Sequence, residues 1–224
     1  MIENLKKTEI FKDLQDEELN EIAPYIREKS FMKREMIFSE GDPPDFLYIV
    51  KDGKVKVTKL SHEGKEIILE IISPYDFFGG IAVIKGFPYP ANAVPMDDTT
   101  VWMISRNNLL LIIDRFPSLM YSLTMSLGDR MRVSHETLKN IALERVESRI
   151  ASLLLKLSDK MGKQADEGLL IDMKLTKQDI ADMVGTTVET AIRTMSKLKK
   201  SGYISEKGGR ILILDREGLA SLGS

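Results

Sequence analysis

The chain has 224 residues, a formal net charge of −2, no cysteine and two histidines. Its composition, 43% hydrophobic and 29% charged, is that of a folded globular protein and excludes a fibrous or disordered chain. Without cysteine it has no disulfide, thiolate zinc site or cysteine-held iron–sulfur cluster. A run of about 18 apolar residues is absent, as is a signal-peptide core, so we expect a cytoplasmic protein without a membrane partner.

Residues 31–104 have the pattern of short strands joined by tight turns. Apolar clusters occupy residues 47–50, 67–69 and 101–104. Phe38 precedes the first cluster, and Val55 and Val57 lie between the first and the second. The turns at residues 40–44, 51–54, 62–65 and 78–80 contain glycine or proline, which suit unusual backbone angles. The pattern predicts an antiparallel β-roll or barrel over residues 1–115.

After Pro117 the periodicity changes, and a seam recurs at alternating spacings of four and three residues. The seam consists of Met120, Thr124, Leu127, Met131, Ser134, Leu138 and Ile141. This spacing predicts a long helix over residues 116–145 that pairs with a second copy of itself in a parallel homodimer. The alternative is that the seam packs against the chain's own barrel. We favour the dimer, because the off-seam residues Leu119, Leu123 and Val133 can serve the barrel instead.

Residues 146–224 are expected to form a small helical domain. A helix at residues 146–157 is followed by a predicted loop at residues 163–168. A short helix capped by Thr176 comes next, Gly185 turns the chain, and another helix starts at Thr186 and runs to Leu198. The buried positions of these two helices are Ile180, Ala181, Val184, Ala191, Met195 and Leu198. The arrangement predicts a helix-turn-helix whose second helix can enter the major groove of DNA.

The outer face of that second helix carries side chains suited to reading bases. Arg193 can donate to guanine O6 and N7, Glu189 can accept from the cytosine amino group, and Val188 can contact a thymine methyl. Candidate phosphate contacts are Lys177, Gln178, Thr187 and Thr190. Two alternatives stay open: Thr186 and Glu189 form a capping box, or Arg193 pairs with Glu189 on a solvated helix face.

A glycine turn follows the second helix. Residues 203–206 and 211–214 have the pattern of strands around Lys207-Gly208-Gly209-Arg210, which predicts a wing with Lys207 and Arg210 at its tip as further phosphate contacts. From Lys174 to Arg210, eight lysines and arginines oppose four acidic residues. This segment is therefore positive within an acidic chain, as DNA binding requires.

The order of these parts resembles the CRP/FNR family of bacterial transcription regulators over nearly the whole chain. The supporting motifs are Gly41, Leu47-Tyr48-Ile49, Gly53, Asp76-Phe77-Phe78-Gly79, Arg149-Ile150-Ala151, Thr176-Lys177-Gln178-Asp179-Ile180-Ala181, Glu189-Thr190 and Arg193. The resemblance implies an α+β fold with an N-terminal β-roll, a long dimerisation helix and a C-terminal winged helix-turn-helix. It also implies a homodimer that binds double-stranded DNA and contacts RNA polymerase. Val188-Glu189 implies TTGA-like half-sites, while Ile192 replaces the usual serine and leaves the outer base open.

The resemblance also places an effector pocket in the chain. Its expected residues are Gly79, Gly80, Ile81, Pro90, Ala91, Asn92, Ser134 and His135. The cyclic-AMP-binding branch has a glutamate where Gly80 stands and an Arg-Ser pair where Pro90 and Ala91 stand. We therefore expect no fixed positive charge there and no cyclic AMP, although backbone amides at residues 79–82 leave a differently held nucleotide open.

The effector itself is not identified by the sequence. Cysteine-free relatives that respond to nitric oxide or carbon monoxide use haem, which His135 or Met131 could ligate; alternatively His135 is simply a solvated helix residue. We expect an effector to change helix packing over residues 131–141, with a hinge at residues 143–146.

A different class of function is a ligand-binding or protein-interaction module whose winged helix no longer binds DNA. An enzyme is not expected, since no paired carboxylates, metal ligands or nucleophile–base motif occur.

Overall fold

The computed structural model describes residues 1–222, and its contacts divide the chain into two compact units. The first unit comprises Met1–Arg132 and the second Val133–Ser224. The predicted division into segments 1–115, 116–145 and 146–224 stays a prediction. Residues 223–224 of its last segment lie outside the described residues.

The first unit combines two antiparallel sheets with several helices. Its helices are α1 (Ile2–Leu5), α2 (Asp16–Ile22), α3 (Gly80–Lys85), α4 (Arg106–Arg115) and the first part of α5 (Ser118–Leu143), with a 3-10 turn at Ala23–Tyr25. Its strands are β1 (Ile26–Phe31), β2 (Phe46–Asp52), β3 (Val55–Leu60), β4 (Glu66–Ile72), β5 (Phe77–Phe78), β6 (Asn92–Pro95) and β7 (Thr99–Ser105). The sheet orders are β1-β7-β2-β5 and β4-β3-β6.

Both sheets bury one set of side chains in a shared core. The β2–β7 register sets Leu47 opposite Ile104 and Ile49 opposite Trp102, and all four side chains are buried. β3 contributes Val55 to the same core. The predicted antiparallel β-roll is therefore confirmed.

Strand β1 was not predicted from the sequence. Only its two ends, Ile26 and Phe31, are buried, and the four residues between them are exposed. The strand therefore lacks the alternation of apolar and polar residues by which a half-buried strand is recognised. Its position is set by pairing with β7.

Helix α5 covers the core with one face only. Leu119 and Leu123 are 3% and 5% exposed and belong to the core cluster of the first unit, as expected. Val133 is 46% exposed, so the expectation that it packs on the barrel is wrong. The chain leaves the helix after Leu143 and enters the next helix at Val146, where the hinge is predicted.

The second unit begins with the last turns of α5 and contains a small sheet among helices. Its further elements are α6 (Val146–Met161), β8 (Gly162–Ala165), β9 (Gly168–Lys174), α7 (Lys177–Val184), α8 (Val188–Lys200), β10 (Ile204–Lys207), β11 (Arg210–Ile213) and α9 (Arg216–Ser221). The sheet order is β10-β11-β9-β8. The loop predicted at residues 163–168 is wrong, because β8 and β9 pair across those residues. Within residues 1–222, no helix has the length and apolar character needed to cross a bilayer.

The turn between β2 and β3 provides a test of the packing of the β-roll. Gly53 has φ +85°, and a Cβ there would lie 2.4 Å from Thr99 Oγ1 and 2.7 Å from the Asp98 carbonyl oxygen. Gly64, in the turn before β4, has a similar φ of +78° but open space around it. Only the first position therefore combines backbone strain with a steric clash.

We expect Gly53→Ala to lower the free energy of unfolding by roughly 3 kcal/mol and Gly64→Ala by about 1 kcal/mol. Urea unfolding followed by Trp102 fluorescence measures both, since the chain's one tryptophan lies in the core of the first unit. Equal losses in the two variants would contradict the clash at Gly53.

Candidate functional site

Helix α7 has a well-defined cap at each end. The Thr176 hydroxyl accepts from the Asp179 backbone N–H at 3.0 Å, and the Thr176 N–H donates to Asp179 Oδ2 at 2.9 Å. The predicted cap is thus confirmed and is part of a capping box. At the other end of α7, Gly185 has a left-handed φ of +65° that turns the chain toward α8.

Helix α8 begins later than the sequence predicts. Its N-cap is Thr187, whose hydroxyl accepts from the Thr190 N–H at 3.3 Å. The alternative of a capping box between Thr186 and Glu189 is therefore wrong, because the helix starts at Val188 instead of Thr186. Glu189 is an exposed first-turn residue.

The outer face of α8 presents the predicted base-reading side chains together. Glu189 and Arg193 are exposed one turn apart, Ile192 is 46% exposed, and Val188 is half-buried at the start of the helix. Arg193 Nη2 donates to Thr190 Oγ1 at 3.3 Å. In residues 1–222 it forms no ion pair with Glu189, so that alternative is also wrong. The inner face buries Ala191, Met195 and Leu198 as predicted.

The predicted wing is confirmed as the hairpin of β10 and β11. Gly208 and Gly209 have φ values of +60° and +76°, and a two-residue type I′ hairpin turn requires positive φ at both positions. The register pairs Lys207 with Arg210 at the tip.

Several predicted phosphate contacts already have partners within the protein. Lys177 forms a hydrogen-bonded ion pair with Glu206, and Arg210 Nη1 lies 3.3 Å from Asp172 Oδ1. The Lys177 hydrogen bond holds the pKa of Glu206 below its ordinary value, so Glu206 remains ionised at neutral pH.

Lys207 is exposed, without an ion pair among the described residues. The other predicted phosphate contacts also have hydrogen bonds: Gln178 Nε2 donates to Asp182 Oδ1 at 2.7 Å, and the Thr187 and Thr190 hydroxyls lie 3.1 Å apart.

Two further cations lie beside the predicted readers. Lys197 and Lys200 line a shallow depression of α8 together with Ile192 and Arg193. Lys197 also pairs with Glu147 at 2.8 Å. Neither lysine is among the predicted site residues, although spacings of four and seven residues from Arg193 would have placed both on its face of the helix.

The first unit contains a cavity of about 200 Å³ with mostly apolar walls. Five of the expected effector-pocket residues line it: Gly79, Gly80, Ile81, Pro90 and Ala91. Asn92 is outside the lining, and its Oδ1 accepts from the Glu40 N–H at 2.8 Å. Ser134 and His135 belong to the second unit, where both are exposed.

Aromatic rings form much of the cavity wall. Phe38 stacks on Tyr89 with ring centroids 3.8 Å apart, and Tyr48 stacks on Phe78 at 5.1 Å. Tyr89 and both phenylalanines line the cavity. Burial raises the pKa of the Tyr48 and Tyr89 hydroxyls, so both stay neutral.

A positive charge enters this lining from α5. Arg130 Nη2 donates to the Phe77 carbonyl at 2.5 Å, and its guanidinium lies 4.6 Å from the Phe77 ring centroid. Its Nη1 is 3.5 Å from Glu70 Oε2 on β4. Pro90 and Ala91, at the positions of the Arg-Ser pair, predict no fixed positive charge. That expectation is wrong for the cavity, because Arg130 comes from an element distant in sequence.

Two sequence profiles of known families match this chain. The profile described as Cyclic nucleotide-binding domain matches residues 28–116, and the Crp-like helix-turn-helix domain matches residues 148–222. A CRP-like cAMP-activated global transcriptional regulator of Mycobacterium tuberculosis is 29% identical over 98% of both chains. The Anaerobic regulatory protein of Bacillus subtilis is 27% identical over 92% of this chain and 87% of that one. The chain belongs to the CRP/FNR family.

The fold of this CRP/FNR member agrees with that of a solved structure. FixK2 from Bradyrhizobium japonicum superposes with a TM-score of 0.80 at 24% identity, covering 89% of this chain and 98% of that one. The predicted α+β fold, with an N-terminal antiparallel sheet, a long helix and a C-terminal helix-turn-helix, is confirmed. The protein is a transcription regulator with a DNA-binding helix-turn-helix, in a family that typically acts as dimers, and is not an enzyme. Its cyclic nucleotide-binding domain fits a small-molecule effector.

The pairing of Lys177 with Glu206 makes a prediction about DNA affinity. Glu206→Gln removes the negative charge beside Lys177, so the lysine can neutralise a phosphate. We expect tighter binding to DNA of any sequence, and a salt dependence steeper by about one on a log–log plot. Fluorescence anisotropy over a range of salt concentrations measures both.

Glu217→Gln is the matched control, because it changes the net charge equally at an exposed position outside α7, α8 and the wing. An equal gain in affinity in the two variants would show an effect of net charge instead of release of Lys177.

Proposed function

We propose that this regulator is a cytoplasmic homodimer that binds inverted-repeat promoter DNA with TTGA-like half-sites and responds to a small-molecule effector. The exposure of Glu189 and Arg193 one turn apart on α8 carries the proposal. Side chains with this spacing can address the guanine and the cytosine of one G·C pair. Because Thr187 caps the helix, the Glu189 carboxylate is available for this purpose.

The surroundings of the two readers support the same mode of binding. Val188 and Ile192 add apolar contacts for thymine methyls, and Lys197 and Lys200 add positive charge toward the end of the helix. Lys207 at the wing tip, with Gln178, Thr187 and Thr190, is placed to contact phosphates. Lys177 and Arg210 would join them after leaving Glu206 and Asp172.

The exposed stripe of α5 supports the homodimer. Leu127, Met131 and Leu138 are 45%, 57% and 66% exposed. Ser134, between Met131 and Leu138, and Ile141, after Leu138, continue the alternating spacing of four and three residues. Apolar side chains repeated in this way favour a second helix, and a twofold axis along it would present two α8 helices to an inverted repeat.

The cavity supports an effector-modulated mechanism. Leu127 belongs both to the cavity lining and to the exposed stripe, so a ligand there would touch the helix on which the dimer depends. We propose that the resulting change in packing passes along α5 to its end at Leu143. Contact with RNA polymerase is part of the proposal as the way in which bound protein acts on transcription.

Haem and cyclic AMP are not part of this proposal. The cavity lining includes neither His135 nor Met131, the two suggested haem ligands. The positions of the cyclic-AMP ligands are taken by Gly80, Pro90 and Ala91, all three of which line the cavity.

Substituting Arg193 tests the assignment of the readers. We expect Arg193→Ala to abolish preference for the G·C pair of a TTGA half-site, a loss of roughly 1 to 3 kcal/mol against the mismatched site. Competition binding with single-base variants of the site provides the measurement. Lys200→Ala is the control, and it should weaken all sites equally. If Arg193→Ala keeps the preference, the assignment of Arg193 is wrong. An absence of salt-dependent DNA binding in the parent protein would instead favour a ligand-binding or protein-interaction module whose winged helix no longer binds DNA.

A pair of leucine substitutions tests the dimer. Leu138→Glu places a charge on the stripe and is expected to shift the protein to monomer in sedimentation velocity, since each helix would face the same charge on its partner. Leu143→Glu makes the same chemical change at a 78% exposed position off the stripe and should leave the dimer intact. A dimer that survives the first change would exclude the stripe as its interface.

A further inference from the structure

The cavity of the first unit combines an apolar wall with one pair of opposite charges. Its rings come from Phe38, Phe77, Phe78, Phe87 and Tyr89, and its charged side chains are Glu70 and Arg130. The Tyr89 hydroxyl donates to the Phe46 carbonyl at 2.6 Å and accepts from the Phe46 N–H at 3.0 Å. Since the backbone engages that hydroxyl, Tyr89 offers the cavity mainly its ring. Side-chain recognition of a polar ligand group therefore falls to Glu70 and Arg130.

Arg130 retains hydrogen-bonding capacity in this arrangement. A guanidinium has five N–H donors, and within residues 1–222 only the bond to the Phe77 carbonyl is of hydrogen-bonding geometry. The 3.5 Å distance to Glu70 is longer than the ~2.8 Å of a charge-assisted hydrogen bond. Arg130 is therefore held in place by Phe77 and paired only loosely with Glu70. A ligand carboxylate can make the closer, two-pronged contact that the guanidinium geometry favours.

The size and charge of the cavity restrict the ligand. Pockets for drug-sized molecules are roughly 300 to 1,000 Å³, and this cavity is about 200 Å³. A single ring with a short side chain fits such a volume better than a base, ribose and phosphate together. Arg130 carries one positive charge, so once it releases Glu70 it can balance one negative charge on a ligand but not two.

We propose that the effector of this regulator is a small aromatic carboxylate. Its carboxylate binds Arg130 in place of Glu70, and its ring lies among the phenylalanines and Tyr89, where offset or edge-to-face contacts are favourable. The proposal rests on the effector-modulated function above and names the class of ligand. Arg130 lies three residues after Leu127 on α5, so the exchange of its partner occurs next to the exposed stripe.

Calorimetry on the full chain without DNA tests the proposal, with 3-phenylpropionate as the probe. We expect the acid to bind about ten-fold or more tightly than 3-phenylpropionamide, which has the same shape without the charge. Arg130→Gln should weaken the acid by about ten-fold or more and leave the amide unchanged. Glu70→Gln should tighten the acid, because the competing carboxylate is gone. Arg130→Lys keeps the charge but loses the planar pair of N–H donors, so its affinity for the acid should lie between those of the parent and Arg130→Gln.

Arg132→Gln is the matched control on the same helix, since Arg132 is exposed and contacts Asp129 at 3.5 Å. It should bind the acid as the parent does. Circular dichroism identifies variants that do not fold, in which case Arg130→Lys and Glu70→Gln carry the test.

Three results would overturn the proposal: no binding of the acid, equal binding of acid and amide, or full affinity for the acid in folded Arg130 variants. DNA binding of the same preparations without ligand separates the two hypotheses. Sequence-specific DNA binding together with any of these results overturns the ligand class alone. If the parent protein itself shows no preference among DNA sequences, the proposed function is overturned instead.

Discussion

Helix α5 carries apolar side chains on two faces, and the described chain covers only one of them. Leu119 and Leu123 are buried in the core of the first unit, whereas Met131 and Leu138 are more than half exposed. Exposed apolar area costs about 25 cal/mol per Å², so a continuous stripe of this kind is stabilised by a partner surface. The proposed dimer and the proposed route from effector to DNA both depend on covering that stripe.

The DNA-binding element shows why a count of charges describes an interface incompletely. The segment from Lys174 to Arg210 is positive overall, yet Lys177 and Arg210 are paired with acidic side chains. Binding a phosphate at either cation must compete with an ion pair that already exists. In the proposed mode of binding, these acids would moderate the sequence-independent part of the affinity, while the predicted base-reading face of α8 is exposed.

The positive charge of the cavity comes from a different part of the fold than in the family's cyclic-AMP branch. The family's cyclic-AMP branch places its phosphate ligands in one stretch of the β-roll, and that stretch is apolar here. The charge that reaches the cavity is on α5 and is oriented by a carbonyl on β5, so the site uses two elements in place of one loop. The resulting arrangement is suited to a single carboxylate beside aromatic rings and differs from a site for a cyclic phosphate.

Much of the architecture follows from local sequence. Period-two and period-3.6 patterns locate β2, β3, β4, β7, the two wing strands and helices α5 to α8. Glycine marks the turns at Gly53 and Gly185, and Thr176 is recognisable as a cap, because each depends on residues within about one turn of each other. The buried positions of α7 and α8 are predictable for the same reason.

Tertiary structure decided the rest. Strand β1 has a polar middle and is held by pairing with β7, and the segment expected as a loop is a hairpin because β9 has β11 as its second neighbour. Lys177 and Glu206 are 29 residues apart, and Arg130 and Phe77 are 53 apart. Periodicity in the sequence determined which faces of the helices are apolar or charged. Only the fold decided which cations are paired and which one enters the cavity, because those contacts join residues that no local pattern connects.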